Sequence, residues 1–217
     1  MSKNLKRVND EPEKDNANQV DIIAFWRPTD PHNYLGQWYT AKFTLTNEMC
    51  DNLPIQLKNL TLFRERPDVL RKLARDQTTF NTAERFMMQG KAALFRDDDI
   101  FDKMSRTDSA REHKSLGRKV DNFDETEWTK YCRDIVKVGN YFKFTQNNDI
   151  KDRLLETDDA LLVEGSPVDK IWGVGIQFDH PHINNIAKWK GKNYLGECLM
   201  FVRTVLQQED KKNCLSC

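Results

Sequence analysis

The sequence lacks an apolar run near the roughly 20 residues that a membrane-spanning helix needs, and its charged first residues lack the apolar centre of a signal peptide. We therefore expect an intracellular protein, in the cytoplasm or the nucleus, with no membrane partner. An excess of charge of one sign is also missing, because Lys and Arg number 34 and Asp and Glu also number 34. Any contact with nucleic acid must then be local rather than driven by overall charge.

Cysteines are few, odd in number at five, and show no C-x-x-C spacing in the body of the chain, which favours reduced thiols over disulfides. The C-terminal CLSC has the shape of a prenylation box, but a final Cys is not a usual last residue, so we expect a frayed tail. Neither a Gly-rich dinucleotide loop nor a phosphate-binding loop is present. Asp179, His180 and His182 lack a fourth ligand at recognisable spacing, and we expect no metal and no cofactor.

The pattern of elements predicts one α+β domain, helix-rich, with a small sheet built from two N-terminal strands and residues 160–164. Residues 1–20 carry mixed charge and no aromatic side chain, which is typical of a disordered arm. The domain is expected over residues 21–209, followed by a flexible tail at 210–217. We interpret residues 46–76 as an insertion or lid, formed by a loop and a short helix that follows Pro67.

A helix is predicted after residue 80, because Asn81 is followed three residues later by Glu84, the arrangement of a capping box. It should end near Phe95 or Arg96, since the Asp run at 97–99 is unfavourable at a helix C-terminus. We interpret that run as a solvated turn capping a helix at 100–104 rather than as a metal site.

Residues 105–120 are polar and are predicted to form a linker. Asp124 and Glu127 then repeat the capping pattern before the strongest helical periodicity of the chain. Another helix is predicted near Asn148, and a last amphipathic helix starts at Asn193.

The stretch at 159–176, DALLVEGSPVDKIWGVGI, is the most informative, because a short buried strand ends there in a turn. Asp169 and Trp172 lie three residues apart, a spacing that can point both side chains the same way. Gly173 and Gly175 allow close approach of the backbone. A carboxylate beside an aromatic ring suits a sugar or a base, although an Asp here can also simply anchor a turn.

Other candidates also carry two interpretations. Glu84 fits a helix cap as well as a catalytic carboxylate, and Trp128 and Trp172 fit the core as well as a ligand platform. Lys192 and Asn193 precede a helix, where free N–H groups favour an anion, but Lys192 equally fits a solvated loop.

Six blocks carry a resemblance when taken together: NTAERFMMQGKAALF, LGRKV, FDETEWTKY, KFTQN, LLETDDALLVEGSPVDKIWGVG and GKNYLGECLMFVR. In this order they resemble the NADAR family, also called YbiA-like, over residues from about 21 to 206. The resemblance implies an N-glycosidase that cuts the bond between a phosphorylated ribose and an exocyclic amine. One branch of the family acts on ribosylaminopyrimidine intermediates of riboflavin synthesis, and another removes ADP-ribose from the amino group of guanine.

The resemblance places the catalytic glutamate of a T-x-E-H pattern on Glu84, with Arg85 in the place of the His, and a second carboxylate on Asp169. The substrate-binding positions that it implies are Trp128, Trp172, Gly173, Lys91, Arg118, Lys192 and Asn193. Two departures from the family lie at the NYLGQW stretch, where a short S-N-F is usual, and at the longer segment 46–76.

We expect Glu84 to activate water and stabilise the sugar cation, and Asp169 to hold the ribose hydroxyls or aid the leaving group. The expected substrate is an ADP-ribose or ribose-phosphate N-glycoside of guanine or a pyrimidine, including ADP-ribosylated RNA or DNA. The guanine branch is preferred because no fused deaminase or reductase domain accompanies this sequence. The riboflavin branch and a non-catalytic ADP-ribose-binding module are the alternatives.

Overall fold

The protein is described here by a computed structural model that covers residues 21–215, with the side chains of all except Asp76, Asn213 and Leu215. The predicted arm at 1–20 and the last two residues of the CLSC sequence lie outside the described residues. The strands are β1 (Ile22–Phe25), β2 (Thr40–Thr44), β3 (Thr79–Thr82) and β4 (Leu161–Glu164). The helices are α1 (Asn47–Asp51), α2 (Ile55–Lys58), α3 (Thr61–Glu65), α4 (Pro67–Leu73), α5 (Ala83–Leu94), α6 (Asp98–Met104), α7 (Ala110–Gly117), α8 (Glu125–Thr145), α9 (Asn148–Leu155) and α10 (Tyr194–Leu215). The prediction of a helix-rich α+β fold is confirmed.

The predicted single sheet is wrong, because over residues 21–215 the strands form two separate pairs. β1 runs parallel to β4, with Phe25 opposite Glu164, and β2 runs antiparallel to β3, with Thr40 opposite Thr82. The two N-terminal strands do not pair with each other. After β1, Asp30 accepts hydrogen bonds from the N–H groups of residues 26 and 27 and closes a turn. The chain then turns away through a short 3-10 helix before β2 begins.

The core lies between the three longest helices and the strands. α5 packs on α8, and α8 packs on α10, which also covers β4. A Cβ added to Gly139 of α8 would lie 2.6 Å from the Phe86 ring of α5, so the close approach of these helices requires a glycine. The predicted amphipathic character of the last helix is confirmed, since α10 has a fully buried apolar face formed by Leu195, Cys198, Leu199, Val202 and Leu206.

Two segments differ from the sequence prediction. Residues 47–65, expected to be mostly loop, form α1, α2 and α3, which are too short to show a helical period in the sequence. The helix after Pro67 is confirmed as α4, and its Leu70 and Leu73 enter the main core, as does Leu57. This segment therefore packs as part of the body, and its status as an insertion relative to other family members stays a prediction.

The polar linker predicted at 105–120 is wrong, because α7 occupies its centre. Ser109 caps this helix by accepting from the N–H of Glu112 at 3.3 Å. Its buried face is formed by His113 and Gly117, neither of which gives an apolar signal in the sequence. At the other end of the chain, α10 continues to Leu215, so the tail predicted from residue 210 is helical within the described residues.

Candidate active site

Glu84 is the second residue of α5, directly after the sheet formed by β2 and β3. The helix cap is Thr82, whose hydroxyl accepts from the N–H of Arg85 at 3.2 Å. The predicted capping box of Asn81 and Glu84 is therefore wrong: Asn81 lies in β3 and donates through its amide to the carbonyl of Asp108. Glu84 is thus not used as a capping-box carboxylate, and only 5% of it is exposed.

Burial raises the pKa of Glu84 to about 7. The Lys114 ammonium, a hydrogen bond from Trp38 and the Arg118 guanidinium oppose this rise, whereas the negative charge of Asp169 adds to it. A carboxyl with a pKa near 7 exchanges protons readily at neutral pH, which suits a general base or a stabiliser of developing positive charge.

Glu164 is a third carboxylate at this site, and the sequence interpretation missed it. It ends β4, and its Oε2 atom is buried without a hydrogen-bond partner among the residues that the structure describes. Burial and the negative charges of Asp169 and Glu84 raise its pKa to about 8, against the opposing effect of Lys114. A signal was available, because the apolar run of β4 stops abruptly at this charged residue.

Asp169 lies in the turn that follows β4 and has two functions. Its Oδ1 atom accepts hydrogen bonds from the N–H groups of Ile171 at 2.9 Å and Trp172 at 2.8 Å, so it does anchor the turn. It also lies close enough to raise the pKa values of both Glu84 and Glu164. The structure therefore brings together the two carboxylates predicted to be catalytic.

Gly173 explains how the turn approaches β4 so closely. A Cβ at this position would lie 2.7 Å from the carbonyl oxygen of Glu164 and 3.0 Å from that of Asp169. Its carbonyl also accepts from the N–H of Asn193 at 3.2 Å. Gly173 therefore brings the turn against β4 by its small size, and its predicted contact with a substrate stays a prediction.

The two predicted tryptophans lie in different surroundings. Trp172 packs its ring edge-on against Tyr194, with ring centroids 6.2 Å apart. Trp128 instead lies beside Lys91, whose Nζ is 5.6 Å from the Trp128 ring and 3.9 Å from the Phe123 ring. Both tryptophans also pack on the main core, which agrees with the core interpretation, and a role of either as a ligand platform stays a prediction.

Positive side chains approach the carboxylates from α7. Lys114 lies in the helix with its Nζ 5.9 Å from the Trp38 ring, and the exposed Arg118 follows one turn later as the C-cap. Sequence reasoning does not identify Trp38 or Lys114 as site residues, and Lys114 falls in the segment predicted to be a linker. The position of Trp38 within NYLGQW, where the family resemblance departs from its usual pattern, was the available signal.

Of the remaining predicted cations, Lys91 points its Nζ to the carbonyl of Gly117 at 2.8 Å, and burial lowers its pKa. Lys192 is exposed beside the Tyr194 ring, with its Nζ 5.3 Å from the ring centroid. The exposed Lys192 ammonium can reach a ligand from the loop before α10. The Nζ of Lys91, in contrast, already donates a hydrogen bond to the backbone of α7.

Asn193 has a structural role that the sequence did not reveal. Its side chain accepts from the N–H of Glu164 at 3.1 Å and donates to the carbonyl of Leu162 at 2.9 Å, so both amide atoms bind β4. It is buried and holds a left-handed backbone, with φ at 58°. These bonds fix the start of α10 to the strand end that carries Glu164, and they leave phosphate binding by this side chain without geometric support.

Within residues 21–215, no group of three or more His, Cys, Asp or Glu side chains is arranged to hold a metal ion. In the DHPH loop, the His180 ring accepts from the N–H of His182 at 3.0 Å, a local contact. None of the helices in the described part of the chain is long and apolar enough to cross a membrane.

Comparison with known proteins decides the family. The NADAR domain matches residues 24–207. The chain belongs to the NADAR family. An N-glycosidase of Acanthamoeba polyphaga mimivirus is 46% identical over 127 residues, which span 58% of this chain and 75% of that protein. An N-glycosidase of Nostoc punctiforme is 31% identical over 139 residues, spanning 64% of this chain and 79% of its own.

Two further NADAR comparisons bear on fold and substrate. The solution structure of Escherichia coli YbiA matches with a TM-score of 0.61 at 22% identity, covering 89% of both chains, which confirms the fold. A riboflavin biosynthesis protein of Vibrio vulnificus is 23% identical over 191 residues, which span 88% of this chain but 40% of that protein. The expected enzyme class, a glycosidase that hydrolyses N-glycosyl compounds, is confirmed by the N-glycosidase relatives.

Proposed function

We propose that this NADAR protein hydrolyses the bond between the ribose of ADP-ribose and the exocyclic amine of guanine, in nucleosides or in nucleic acid. The observation that carries the proposal is Glu84, a buried carboxyl with a pKa of about 7 and with Trp38, Lys114 and Asp169 around it. Cleavage at an anomeric carbon passes through an oxocarbenium-like state, which a nearby carboxylate stabilises while it takes a proton from water.

The other side chains have roles consistent with this chemistry. Asp169 keeps Oδ2 for the ribose hydroxyls, since Oδ1 is held by the turn. Trp172 forms one wall of the site and is proposed to stack on the base or the ribose. Arg118 and Lys192 are exposed cations on different segments and are proposed to bind the phosphates of ADP-ribose. The reaction requires no cofactor.

A second candidate substrate is the ribosylaminopyrimidine phosphate of riboflavin synthesis. The similarity to the Vibrio protein named for riboflavin biosynthesis favours it, and that similarity spans 88% of this chain. The bond broken is of the same kind, but the substrate carries one phosphate instead of a diphosphate. Arg118 after α7 and Lys192 before α10 lie on two separate segments, so each is proposed to bind one of the two phosphates of ADP-ribose.

A non-catalytic ADP-ribose-binding module is the remaining alternative. Such a module needs the aromatic and cationic side chains but has no use for Glu84 buried beside Asp169 and Glu164. Burying like charges together raises their pKa values and is unfavourable unless the site uses them. The three carboxylates therefore support a catalytic protein.

One assay separates these functions. The purified protein is incubated with ADP-ribosyl-guanosine and, separately, with the ribosylaminopyrimidine phosphate, and the products are resolved by chromatography. We expect guanosine and ADP-ribose from the first substrate and little product from the second. Turnover of only the pyrimidine would establish the riboflavin branch, and tight binding of ADP-ribose without turnover of either would establish the binding module.

A further inference from the structure

The backbone of Glu164 is held from several sides. Its N–H donates to the side chain of Asn193 at 3.1 Å, and its carbonyl accepts from Ser166 and Val174, each at 2.9 Å. Glu164 also stands opposite Phe25 in the parallel pair of β1 and β4. The backbone that carries the Glu164 side chain is therefore fixed at the end of a strand, which is a more rigid support than a loop.

The surroundings of the Glu164 carboxyl group do little to stabilise its ionised form. Within residues 21–215, its buried Oε2 atom has no hydrogen-bond partner. The charged groups that act on it are the carboxylates Glu84 and Asp169 and a single cation, Lys114. Buried polar atoms are nearly always paired in folded proteins, so an unpaired oxygen at a site indicates a place for a ligand group.

Glu84 differs from Glu164 in its partners. Glu84 accepts a hydrogen bond from Trp38, and both Lys114 and Arg118 favour its ionised form. It also lies in the first turn of α5, where the helix dipole favours a negative charge. The two carboxyls are thus placed in different surroundings, one that supports the anion and one that favours the neutral acid.

We propose that Glu164 is a catalytic residue of the glycosidase, the acid that gives its proton to the departing exocyclic amine. This inference rests on the N-glycosidase function proposed above and holds for either candidate substrate. It assigns to Glu164 the leaving-group role that the sequence left open for Asp169, whose Oδ1 atom is held by two backbone N–H groups.

The proposed step is balanced. The bond between the anomeric carbon and the amine nitrogen breaks, and its electron pair goes to the nitrogen. Glu164 transfers its proton to that nitrogen, so the base leaves with a neutral amino group. Water attacks the anomeric carbon and loses a proton to ionised Glu84. Transfer of that proton back from Glu84 to Glu164, directly or through solvent, restores both groups.

The directions in which the pKa values of the two groups are shifted agree with these roles. Burial raises the pKa of Glu164 to about 8, so it holds a proton at neutral pH, and that of Glu84 to about 7, so a large fraction is ionised. Pairs of carboxyls with separated pKa values are the arrangement from which acid and base roles are assigned.

The test compares the parent with Glu164→Gln, which keeps size and neutrality but cannot donate an acidic proton. With ADP-ribosyl-guanosine we expect kcat to fall about 10²- to 10⁴-fold with little change in KM. The parent should lose activity as pH rises above about 8, and the residual activity of the variant should lack this alkaline limb. Glu164→Asp should recover part of the activity together with the limb.

The matched control is Glu48→Gln, an exposed change in the first turn of α1, which should retain parental activity. Parental kcat in Glu164→Gln would overturn the proposal, and so would a loss of activity that leaves the alkaline limb in place. If Glu164→Gln does not fold, the pH dependence of the parent enzyme is the test. A parental kcat that stays constant above pH 8 would also overturn the proposal that Glu164 is the acid. A parent that cleaves none of the N-glycosides shows instead that the proposed function is wrong.

Discussion

The starts of α1 and α5 share the same capping pattern, but the glutamate of one is exposed to solvent and that of the other is buried. Each begins with a threonine cap, Thr46 or Thr82, whose hydroxyl accepts from the N–H three residues on at 3.2 Å. Each then carries a glutamate at its second helical position, Glu48 or Glu84. Glu48 is exposed, whereas Glu84 is buried and has a pKa raised to about 7.

The difference comes from tertiary structure. Glu84 donates its own N–H to the carbonyl of Gln37 at 2.9 Å, so the segment that carries Trp38 folds over the start of α5. The end of β4 and helix α7 add Glu164 and Lys114 to the same place. The local sequence therefore determines where each helix begins, while distant segments determine whether its glutamate can do chemistry.

The largest effect that tests this comparison is loss of catalysis in Glu84→Gln. We expect kcat/KM for ADP-ribosyl-guanosine to fall about 10³-fold or more, equivalent to about 4 kcal/mol of transition-state stabilisation. The amide cannot take a proton from water and does not stabilise a cation as a carboxylate does. Glu48→Gln, at the equivalent position of α1, should stay within about twofold of the parent.

Thermal unfolding of both variants controls for misfolding, because a glutamine has nearly the shape of the glutamate that it replaces and differs mainly in lacking the ionisable group. If Glu84→Gln keeps parental turnover, the buried glutamate is a structural residue and the two helix starts are functionally equivalent.

Much of the fold could be predicted from the sequence. Asp124 does cap α8 by accepting from the N–H of Glu127 at 2.7 Å, and Asp97 caps α6 through the N–H of Ile100 at 3.0 Å. The apolar faces of the long helices were also readable, because burial along a helix follows its period. Short elements with polar sequences, such as β3 and α7, were not readable, because their burial depends on partners far away in the chain.

The site was predictable only in part for the same reason. Asp169 is a candidate from the local pattern of 159–176, whereas Glu84 becomes one only through the family resemblance, since its local pattern equally indicates a cap. Glu164 ends a strand and Lys114 lies in a polar helix, and each becomes a site residue only because the fold brings α7 and β4 to the start of α5. Asn193 was correctly located at a helix start, but its contacts with β4 required the structure.

The second effect is on how stability depends on pH. The folded-state pKa of Glu84 is about 7 against 4.5 for an unperturbed glutamate, so the folded state holds its proton more tightly. The free energy of unfolding should therefore fall as pH rises from about 4.5 through about 7. Glu84→Gln removes this loss, and its stability relative to the parent should rise by up to about 3 kcal/mol across that window.

Urea unfolding at several pH values from 4.5 to 8 measures this effect, with an unchanged slope against urea as the sign that both states remain comparable. Parallel stability curves for parent and variant would show that the carboxyl is ionised and solvated in the folded protein, contrary to its burial.

The third effect separates capping from chemistry. Thr46→Ala and Thr82→Ala each remove one cap, so each should lower the free energy of unfolding by about 1 kcal/mol. Only Thr82→Ala should also lower kcat, by several-fold, because fraying the first turn of α5 displaces Glu84. Equal kcat values in the two variants would show that Glu84 is positioned by Gln37 and Trp38 alone.

The smallest effect is expected next to the catalytic glutamate, at Arg85, where the family resemblance places a His. Consecutive helical residues point about 100° apart, and the Arg85 guanidinium faces Gln89, with its Nε 2.9 Å from Oε1. The charges that shift the pKa of Glu84 come from Lys114, Asp169 and Arg118. Arg85→His should therefore change kcat by less than about twofold and cost about 1 kcal/mol of stability through the lost bond to Gln89.

Steady-state kinetics of Arg85→His over a pH series provides the measurement, with Arg85→Gln as a control that also removes the charge. A large gain of activity in the His variant but not in the Gln variant would mean that an imidazole at this position reaches the substrate. The active face of α5 would then include its third residue as well as its second. With no such gain, the chemistry at the start of α5 comes from Glu84 and from the segments folded over it, which is where α5 differs from α1.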